Sequence, residues 1–240
     1  MTSKRTYTFA NCQIVDPVNA STMTGNVVVE GEVIRSVGEE SAGLRIECEG
    51  LICTSGLVDL SSHLRQPGRE DSEIIATGTA AAAAGGYTAV SAMPTTEPAM
   101  DHAGIVEQVL RLARETGRCD VFPVGAITKG RAGHELAEMG AMHEAGVRTF
   151  SDAHHAVVSS QVMRRALLYA RTWDAIIANH PEDTSLTEGA QMHEGAMSSR
   201  LGLKGSPREA EEIIVARDLI LAERAGARLH VPPLSTRPAV

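Results

Sequence analysis

The feature that most restricts the fold is a repeated alternation of one short apolar strand with one helical pattern, which starts near Leu57 and continues almost to the end of the sequence. Such alternation is typical of βα units built around a parallel sheet, so the sequence predicts an α/β fold. Six segments have the length and composition of strands: 57–60, 87–93, 120–127, 148–151, 175–178 and 228–231.

These repeats predict a (β/α)8 barrel of the TIM type, incomplete because about six βα units can be counted where eight are needed. A small β-rich domain is expected before it, and we place the domain limits at 1–54 and 55–240. An open barrel would leave two unpaired edges and exposed apolar side chains, so either the chain is a fragment or a partner completes it. Four strands are predicted in the first domain: 7–15, 25–30, 33–38 and 44–48.

Three of the helical segments carry an apolar stripe with the spacing of one helix face. We predict that these faces pack against the sheet and that the opposite faces meet water. The stripes consist of Ile105, Val109 and Leu112; of Met163, Leu167 and Ala170; and of Ile213, Ala216 and Ile220.

Composition excludes several classes of function. The 22 basic and 30 acidic residues give a net charge of −8, which argues against a phosphate-neutralising surface, so we expect no nucleic-acid partner. No apolar run approaches the roughly 18 residues of a membrane span, and the N-terminus lacks the apolar core of a signal peptide. We therefore expect no membrane association and a cytoplasmic location. The four cysteines lack the paired spacing of a zinc or redox motif, and we assign them no chemistry.

One segment carries a specific resemblance. Residues 56–70 read Gly-Leu-Val-Asp-Leu-Ser-Ser-His-Leu-Arg-Gln-Pro-Gly-Arg-Glu, which closely resembles the dihydroorotases, in particular the longer bacterial type related to hydantoinases and allantoinases. Similar strings recur at 76–90, 187–195 and 216–223, so the resemblance covers nearly all of the chain. It implies an amidohydrolase-type barrel and the zinc-dependent hydrolysis of a cyclic amide in pyrimidine biosynthesis.

In that family the first barrel strand ends in two metal-binding histidines spaced by two residues, a spacing that points both side chains to one side of a strand. This chain has Ser61 and His63 at the two positions. A serine hydroxyl is a poor substitute for imidazole on zinc. The resemblance thus implies that one ligand of this pair is lost and the other remains.

The other ligand positions of the family give a mixed result. The bridging carboxylate of the fourth strand is replaced by Ala153, and the histidine of the sixth strand is replaced by Pro233. Neither side chain has a donor atom. The ligand of the fifth strand matches His180, so with His63 two of five ligands remain, whereas a catalytic zinc needs about three. We expect zinc, the family's cofactor, to be absent or weakly bound here.

Three neighbouring side chains are possible substitutes for the lost ligands. Asp152, His154 and His155 flank Ala153, and a local shift of the chain would bring one of them to the metal position. Asp152 is one residue out of register, which on a strand directs its side chain to the opposite face.

The substrate-binding positions of the family are partly kept. Arg65 matches the arginine that pairs with the substrate carboxylate, whereas the asparagine that binds substrate after the second strand is replaced by Thr95. The general-base aspartate of the family belongs to the eighth strand, beyond the last residue of this sequence. We therefore assign no catalytic residue.

The sequence predicts a dihydroorotase-like homologue that is catalytically inactive and acts as a structural partner of aspartate transcarbamoylase, which the resemblance implies as a partner, or that self-associates. Two alternatives stay open. One is an active zinc-dependent dihydroorotase that interconverts N-carbamoyl-L-aspartate and dihydroorotate, with His154 or His155 supplying a ligand in a rearranged site. The other is a truncated fragment without a function.

Overall fold

A computed structural model describes residues 5–240, and the chain divides into two compact units, Met1–Leu57 and Val58–Val240. In the N-terminal unit the strands lie in the order β3, β2, β1, β4, and β5 also pairs with β1. Neighbours among the first three strands are antiparallel, while β4 and β5 run parallel to β1. The strands are β1 (Thr6–Asp16), β2 (Ser21–Glu30), β3 (Val33–Gly38), β4 (Leu44–Glu47) and β5 (Ile52–Cys53).

The four strands predicted for this unit are confirmed, with one difference in length. β2 begins at Ser21 rather than at Gly25. The antiparallel ladder with β1 continues to the pair of Ser21 and Asp16 beside the turn. The extra residues are exposed, and mostly polar, so no alternation of buried and exposed side chains marks them as a strand.

The C-terminal unit is built on a six-stranded sheet with the order β6, β7, β8, β9, β10, β13. The pairs from β7 to β13 are parallel, and all six strands predicted from the sequence are present. A short parallel pair, β11 and β12, lies apart from this sheet. The strands are β6 (Leu57–Ser62), β7 (Tyr87–Ala92), β8 (Asp120–Gly125), β9 (Thr149–Ser151), β10 (Ile176–Ala178), β11 (Met192–His193), β12 (Gly205–Ser206) and β13 (Arg228–His230).

Helices connect successive strands of the sheet. The longest has 17 residues, and no helix within residues 5–240 combines the length and the apolar character needed to cross a membrane. The helices are α1 (Ile75–Ala84), α2 (Ala103–Thr116), α3 (Met139–Glu144), α4 (Ser160–Ala170), α5 (Thr184–Thr187), α6 (Ala196–Leu201) and α7 (Glu209–Ala225).

This arrangement is an incomplete (β/α)8 barrel, as predicted: a curled parallel sheet of six strands with helices between them. β6 and β13 form the two edges of the sheet within the described residues. On the β6 edge, Val58 is 56% exposed and Leu60 is 63% exposed. The apolar exposure expected of an open barrel is therefore present.

The core of the C-terminal unit lies between the sheet and its helices. Phe150 on β9 and Ile177 on β10 are fully buried, and they belong to one cluster with Met163 and Leu167 of α4. Full burial of such a side chain stabilises a fold by about 1.5–3 kcal/mol. Packing of this kind fixes the strand ends from which the candidate site is built.

The predicted helix faces are correct for α2 and α4, where the apolar stripes are buried or partly buried, but wrong for α7. The predicted stripe of Ile213, Ala216 and Ile220 faces outward, with the two isoleucines 51% and 60% exposed. Ile214 and Asp218 lie on the buried face instead. An aspartate among the buried residues breaks the apolar periodicity, so the pattern indicates the wrong side of the helix.

Candidate functional site

A cavity of about 410 Å³ follows the strands of the six-stranded sheet and reaches the loops at their carboxyl ends. We call it the main cavity. Ser61, Ala153 and Pro233, the three substituted ligand positions, all line it, together with His180. The fold therefore brings these four sequence-predicted positions to one place, as expected for residues that follow parallel strands. Further residues that line the main cavity include Ser91, Met93, Ser151, His154, Arg228 and His230.

His63 directly follows β6 and lies at the carboxyl end of that strand. The backbone N–H of Met93 donates to the carbonyl of Ser62 at 2.9 Å, which ties the end of β6 to the end of β7. This contact places Thr95 beside His63, and the Nδ1 of His63 lies 2.9 Å from the Thr95 hydroxyl oxygen. Thr95, which we expected at a substrate position, therefore orients the imidazole of His63.

His154 stands between the two retained histidines. Its ring is stacked on that of His63, with centroids 5.0 Å apart and an angle of 30° between the planes, and it meets the His180 ring edge-on at 6.3 Å. Ala153 adopts a left-handed backbone with a φ of 57°, which turns the chain sharply just before His154. Of the three predicted substitutes, His154 is the one that the structure brings to His63 and His180.

The charges that act on these imidazoles are mostly positive, and the carboxylate of Asp59 beside His63 is the exception. Burial lowers the pKa of His63, and the nearby charges of His154 and Arg65 lower it further. Burial also lowers the pKa of His154, where His180 and Arg65 act in the same direction. The site therefore combines neutral imidazoles with the fixed cation of Arg65, an arrangement that favours an anionic ligand.

Glu182 and Asp152 are carboxylates near the site, and each is already engaged. Glu182 is 3.3 Å from the Nε2 of His180. Asp152 is 1% exposed, and its Oδ1 accepts hydrogen bonds from the backbone N–H groups of Ile127 and Thr128 at 2.8 and 3.0 Å. Its Oδ2 accepts a bond from the Thr128 hydroxyl. Burial raises the pKa of Asp152, although the bonds from Thr128 oppose this effect. Asp152 anchors the loop after β8, in keeping with its expected position out of register.

His155 is not part of the main cavity. It lines a separate pocket with Arg131 and Ser159 beside the start of α4. No sequence pattern points to Arg131, because it lies in a short 3-10 turn after β8, where no periodicity or spacing marks a site. Its charge nonetheless acts on His63 and His154.

The donor atoms do not fit the binuclear metal centre that the resemblance implies. Ser61 offers a hydroxyl, Ala153 a methyl group and Pro233 a ring without a donor at three of the five positions. Within residues 5–240, no group of three or more His, Cys, Asp or Glu side chains is arranged to hold a metal ion. The arrangement can bind and orient an anion through Arg65 and the histidines.

Comparisons with known proteins agree with the resemblance seen in the sequence. Residues 50–239 match the family model described as Dihydro-orotase-like. The dihydroorotase of Streptomyces coelicolor is 51% identical over 221 residues, which cover 90% of this chain and 51% of that protein. The dihydroorotase of Mycobacterium leprae is 50% identical over 220 residues, which cover 88% of this chain and 50% of that protein. The chain thus spans about half the length of the curated relatives it matches.

Solved structures show the same fold. The L-hydantoinase of Arthrobacter aurescens matches with a TM-score of 0.77 at 19% identity, covering 94% of this chain and 52% of that protein. A D-hydantoinase matches with a TM-score of 0.76 at 16% identity, covering 97% and 53%. Because the family model matches most of the sequence and the barrel topology agrees, this chain belongs to the dihydroorotase-like family of amidohydrolases.

Proposed function

We propose that this chain is a dihydroorotase homologue that has lost metal-dependent hydrolysis and acts in the cytoplasm as a structural partner of aspartate transcarbamoylase in pyrimidine biosynthesis. One observation carries the loss of hydrolysis: Ser61, Ala153 and Pro233 line the same cavity and place no strong metal donor in it. The core between the sheet and its helices is a cluster of buried apolar side chains. The substitutions thus affect the chemistry and leave the packing intact.

The proposed loss follows from the chemistry of the family's reaction. Ring closure of N-carbamoyl-aspartate requires an activated hydroxide, a polarised carbonyl and a group that moves a proton. Free water has a pKa near 15.7, against about 7 when it is bound to zinc, so a pocket without the metal holds almost no nucleophile at neutral pH. What remains is recognition: Arg65 and the histidines His63 and His154 would hold an acidic ligand without turning it over.

Metal content and turnover test the loss of hydrolysis together. The purified chain is incubated with zinc, desalted, and assayed for bound metal and for dihydroorotate formation. We expect less than about a tenth of an equivalent of zinc and no turnover above background, because zinc sites with a full ligand set hold the ion tightly. The Streptomyces coelicolor dihydroorotase, handled in the same way, is the positive control. Stoichiometric zinc together with turnover would contradict the proposal.

The partner requires its own measurement. The resemblance implies aspartate transcarbamoylase, and the exposed apolar side chains of the β6 edge, Val58 and Leu60, are consistent with a surface that another chain covers. We expect the chain to co-migrate with the transferase in size-exclusion chromatography at micromolar concentration. Independent migration of the two proteins would remove this part of the proposal and leave the loss of hydrolysis standing.

A second candidate function is an active amidohydrolase with a rearranged site. The position of His154 between His63 and His180 favours it, since three imidazoles then lie within one cluster. The rings of His63 and His154 are stacked, and within residues 5–240 no group of three or more His, Cys, Asp or Glu side chains is arranged to hold a metal ion, which is why we place this candidate second. Zinc uptake that disappears in His154→Ala and persists in His155→Ala would support this candidate over the first.

A further inference from the structure

A second cavity lies beside the N-terminus of α4 and shares no lining residue with the main cavity. Its volume is about 360 Å³, and we call it the basic pocket. It is lined by Arg131, Ala132, Gly133, His134, His155, Ala156, Val158, Ser159 and Thr184.

The lining of the basic pocket is cationic or neutral. Arg131 carries a permanent positive charge, and His134 and His155 add two imidazoles. The remaining polar side chains are the hydroxyls of Ser159 and Thr184, and no aspartate or glutamate lines the pocket. In a chain with a net charge of −8, a cavity free of carboxylates is a local reversal of the overall charge.

Arg131 is incompletely satisfied. Its Nε is buried and has no hydrogen-bond partner within the described residues. The charge of Arg131 lowers the pKa of the buried Asp152 carboxyl, but the oxygens of Asp152 accept their hydrogen bonds from Ile127 and Thr128. A buried N–H of a charged group without an acceptor is costly unless a ligand or water supplies one. The Nε of Arg131 therefore lacks an acceptor within the described residues.

The loop that carries Arg131 is held in place before any ligand arrives. The backbone N–H of Arg131 donates to the carbonyl of Thr128 at 2.9 Å, and the N–H of Gly133 donates to the Thr128 hydroxyl oxygen at 2.9 Å. Gly130 is fixed from another side, because its N–H donates to Asp101 at 2.8 Å. A site held in this way loses little conformational entropy on binding.

The opposite wall of the basic pocket is the start of a helix. Ser159 is the N-cap of α4, and its hydroxyl oxygen accepts a hydrogen bond from the N–H of Val162. α4 has 11 residues, and the N-terminus of a helix carries partial positive charge and free N–H groups that favour anions. This field adds to the positive charge of Arg131.

We propose that the basic pocket binds a small molecule through a phosphate group. A guanidinium, two imidazoles and hydroxyls from separate loops surround the cavity, which suits the several oxygens of a tetrahedral anion better than the two oxygens of a carboxylate. The volume exceeds that of inorganic phosphate, so there is room for an organic part as well. The basic pocket shares no lining residue with the main cavity, and phosphate binding there does not require any hydrolysis in the main cavity.

Calorimetric titration of the full chain with inorganic phosphate tests this site. We expect saturable binding of one phosphate, with acetate at equal ionic strength binding far more weakly. Arg131→Gln should weaken phosphate binding at least about tenfold, because it removes the charged donor. His155→Gln should weaken it to a smaller extent.

Two matched controls make the result specific. Arg165→Gln removes the same charge from an exposed position on α4, and it should leave the affinity for phosphate unchanged. Arg65→Gln removes a cation whose charge acts on His63, outside the basic pocket, and it should also leave the affinity unchanged. Equal loss in Arg131→Gln and Arg165→Gln, loss in Arg65→Gln but not in His155→Gln, or no saturable binding by the unmodified chain would overturn the proposal.

Folding of the variants is checked by thermal unfolding followed by circular dichroism. Arg131→Lys keeps the positive charge but not the guanidinium fork, so we expect it to bind phosphate with an affinity between those of the unmodified chain and Arg131→Gln. A folded Arg131→Gln variant that binds phosphate as tightly as the unmodified chain would also overturn the proposal.

Discussion

The imidazole rings of His63 and His154 are stacked, with centroids 5.0 Å apart, at the carboxyl ends of β6 and β9. His154 directly follows Ala153, the position that in the family carries the bridging carboxylate. His154 thus lies close to His63, a retained ligand position, and next to position 153, where the acidic donor is missing. Because the rings are stacked, with an angle of 30° between their planes, they stabilise each other by packing.

Restoring the missing donors should restore zinc binding. We expect the triple variant Ser61→His, Ala153→Asp, Pro233→His to retain about one equivalent of zinc or more after desalting, because it completes five ligand positions. Aspartate tolerates the left-handed backbone of residue 153 better than most residues, so this change should not disturb the fold. Metal analysis is the measurement, and Ala153→Asp alone is the control. A triple variant that is folded but retains no more zinc than the unmodified chain would show that the ligand positions are misassigned.

Removal of the Asp152 carboxylate should destabilise the loop after β8. Asp152→Ala leaves the buried N–H groups of Ile127 and Thr128 without an acceptor, and we expect the free energy of unfolding to fall by about 3 kcal/mol. Urea denaturation measures the change. Asp71→Ala is the control, because that side chain is 75% exposed and its loss should have little effect. Equal stability of both variants would mean that the Asp152 bonds contribute little.

The sequence predicts most of the fold because its strands and two of its helices follow simple periodicity. Met163 and Leu167 of α4 are both fully buried, as their spacing indicates. The failure on α7 has a physical cause: Asp218 lies on the buried face, where it accepts hydrogen bonds from Arg217 and Asn179. Periodicity counts apolar residues and takes no account of a buried carboxylate that is paired by a neighbouring arginine and by an asparagine 39 residues away.

Part of the candidate site can be predicted from the sequence, and part of it cannot. The ligand positions follow strands, so the sequence places Ser61, Ala153 and His180 at one end of the barrel, and the structure brings them to one cavity. Arg131 and the partnership of His63 with Thr95 depend on loop conformations that no local pattern encodes. The charge of the site was therefore only partly visible from the sequence.

A pair of adjacent residues tests the revised orientation of α7. Ile214 is 2% exposed and Ile213 is 51% exposed. We expect Ile214→Ala to lower the free energy of unfolding by about 2–5 kcal/mol, because it leaves a cavity in the core, and Ile213→Ala to lower it by less than about 1 kcal/mol. Urea denaturation of the two variants gives the comparison directly. The opposite order would restore the face that the sequence predicts.

Glu211 should make the stability of the C-terminal segment depend on pH. Its carboxylate accepts hydrogen bonds from the backbone N–H groups and hydroxyls of Ser235 and Thr236, at distances between 2.6 and 3.1 Å. Burial raises the pKa of Glu211, but the bonds from Ser235 and Thr236 outweigh this effect and lower it below its usual value. A lowered pKa means that the ionised form is stabilised by folding. This contribution is complete above the pKa of the unfolded chain, near 4.3, and is lost as the pH falls through the lower pKa of the folded state.

The difference in unfolding free energy between the unmodified chain and Glu211→Gln should therefore be largest near neutral pH and should shrink below about pH 4. Urea denaturation at a series of pH values measures it, and faster hydrogen exchange of the Ser235 and Thr236 amides in the variant locates the effect. Glu209→Gln is the matched control, since Glu209 lies on the same helix and is exposed, at 3.8 Å from Arg208. A difference that stays constant from pH 3 to pH 7 would show that the Glu211 carboxylate does not anchor the segment through its charge.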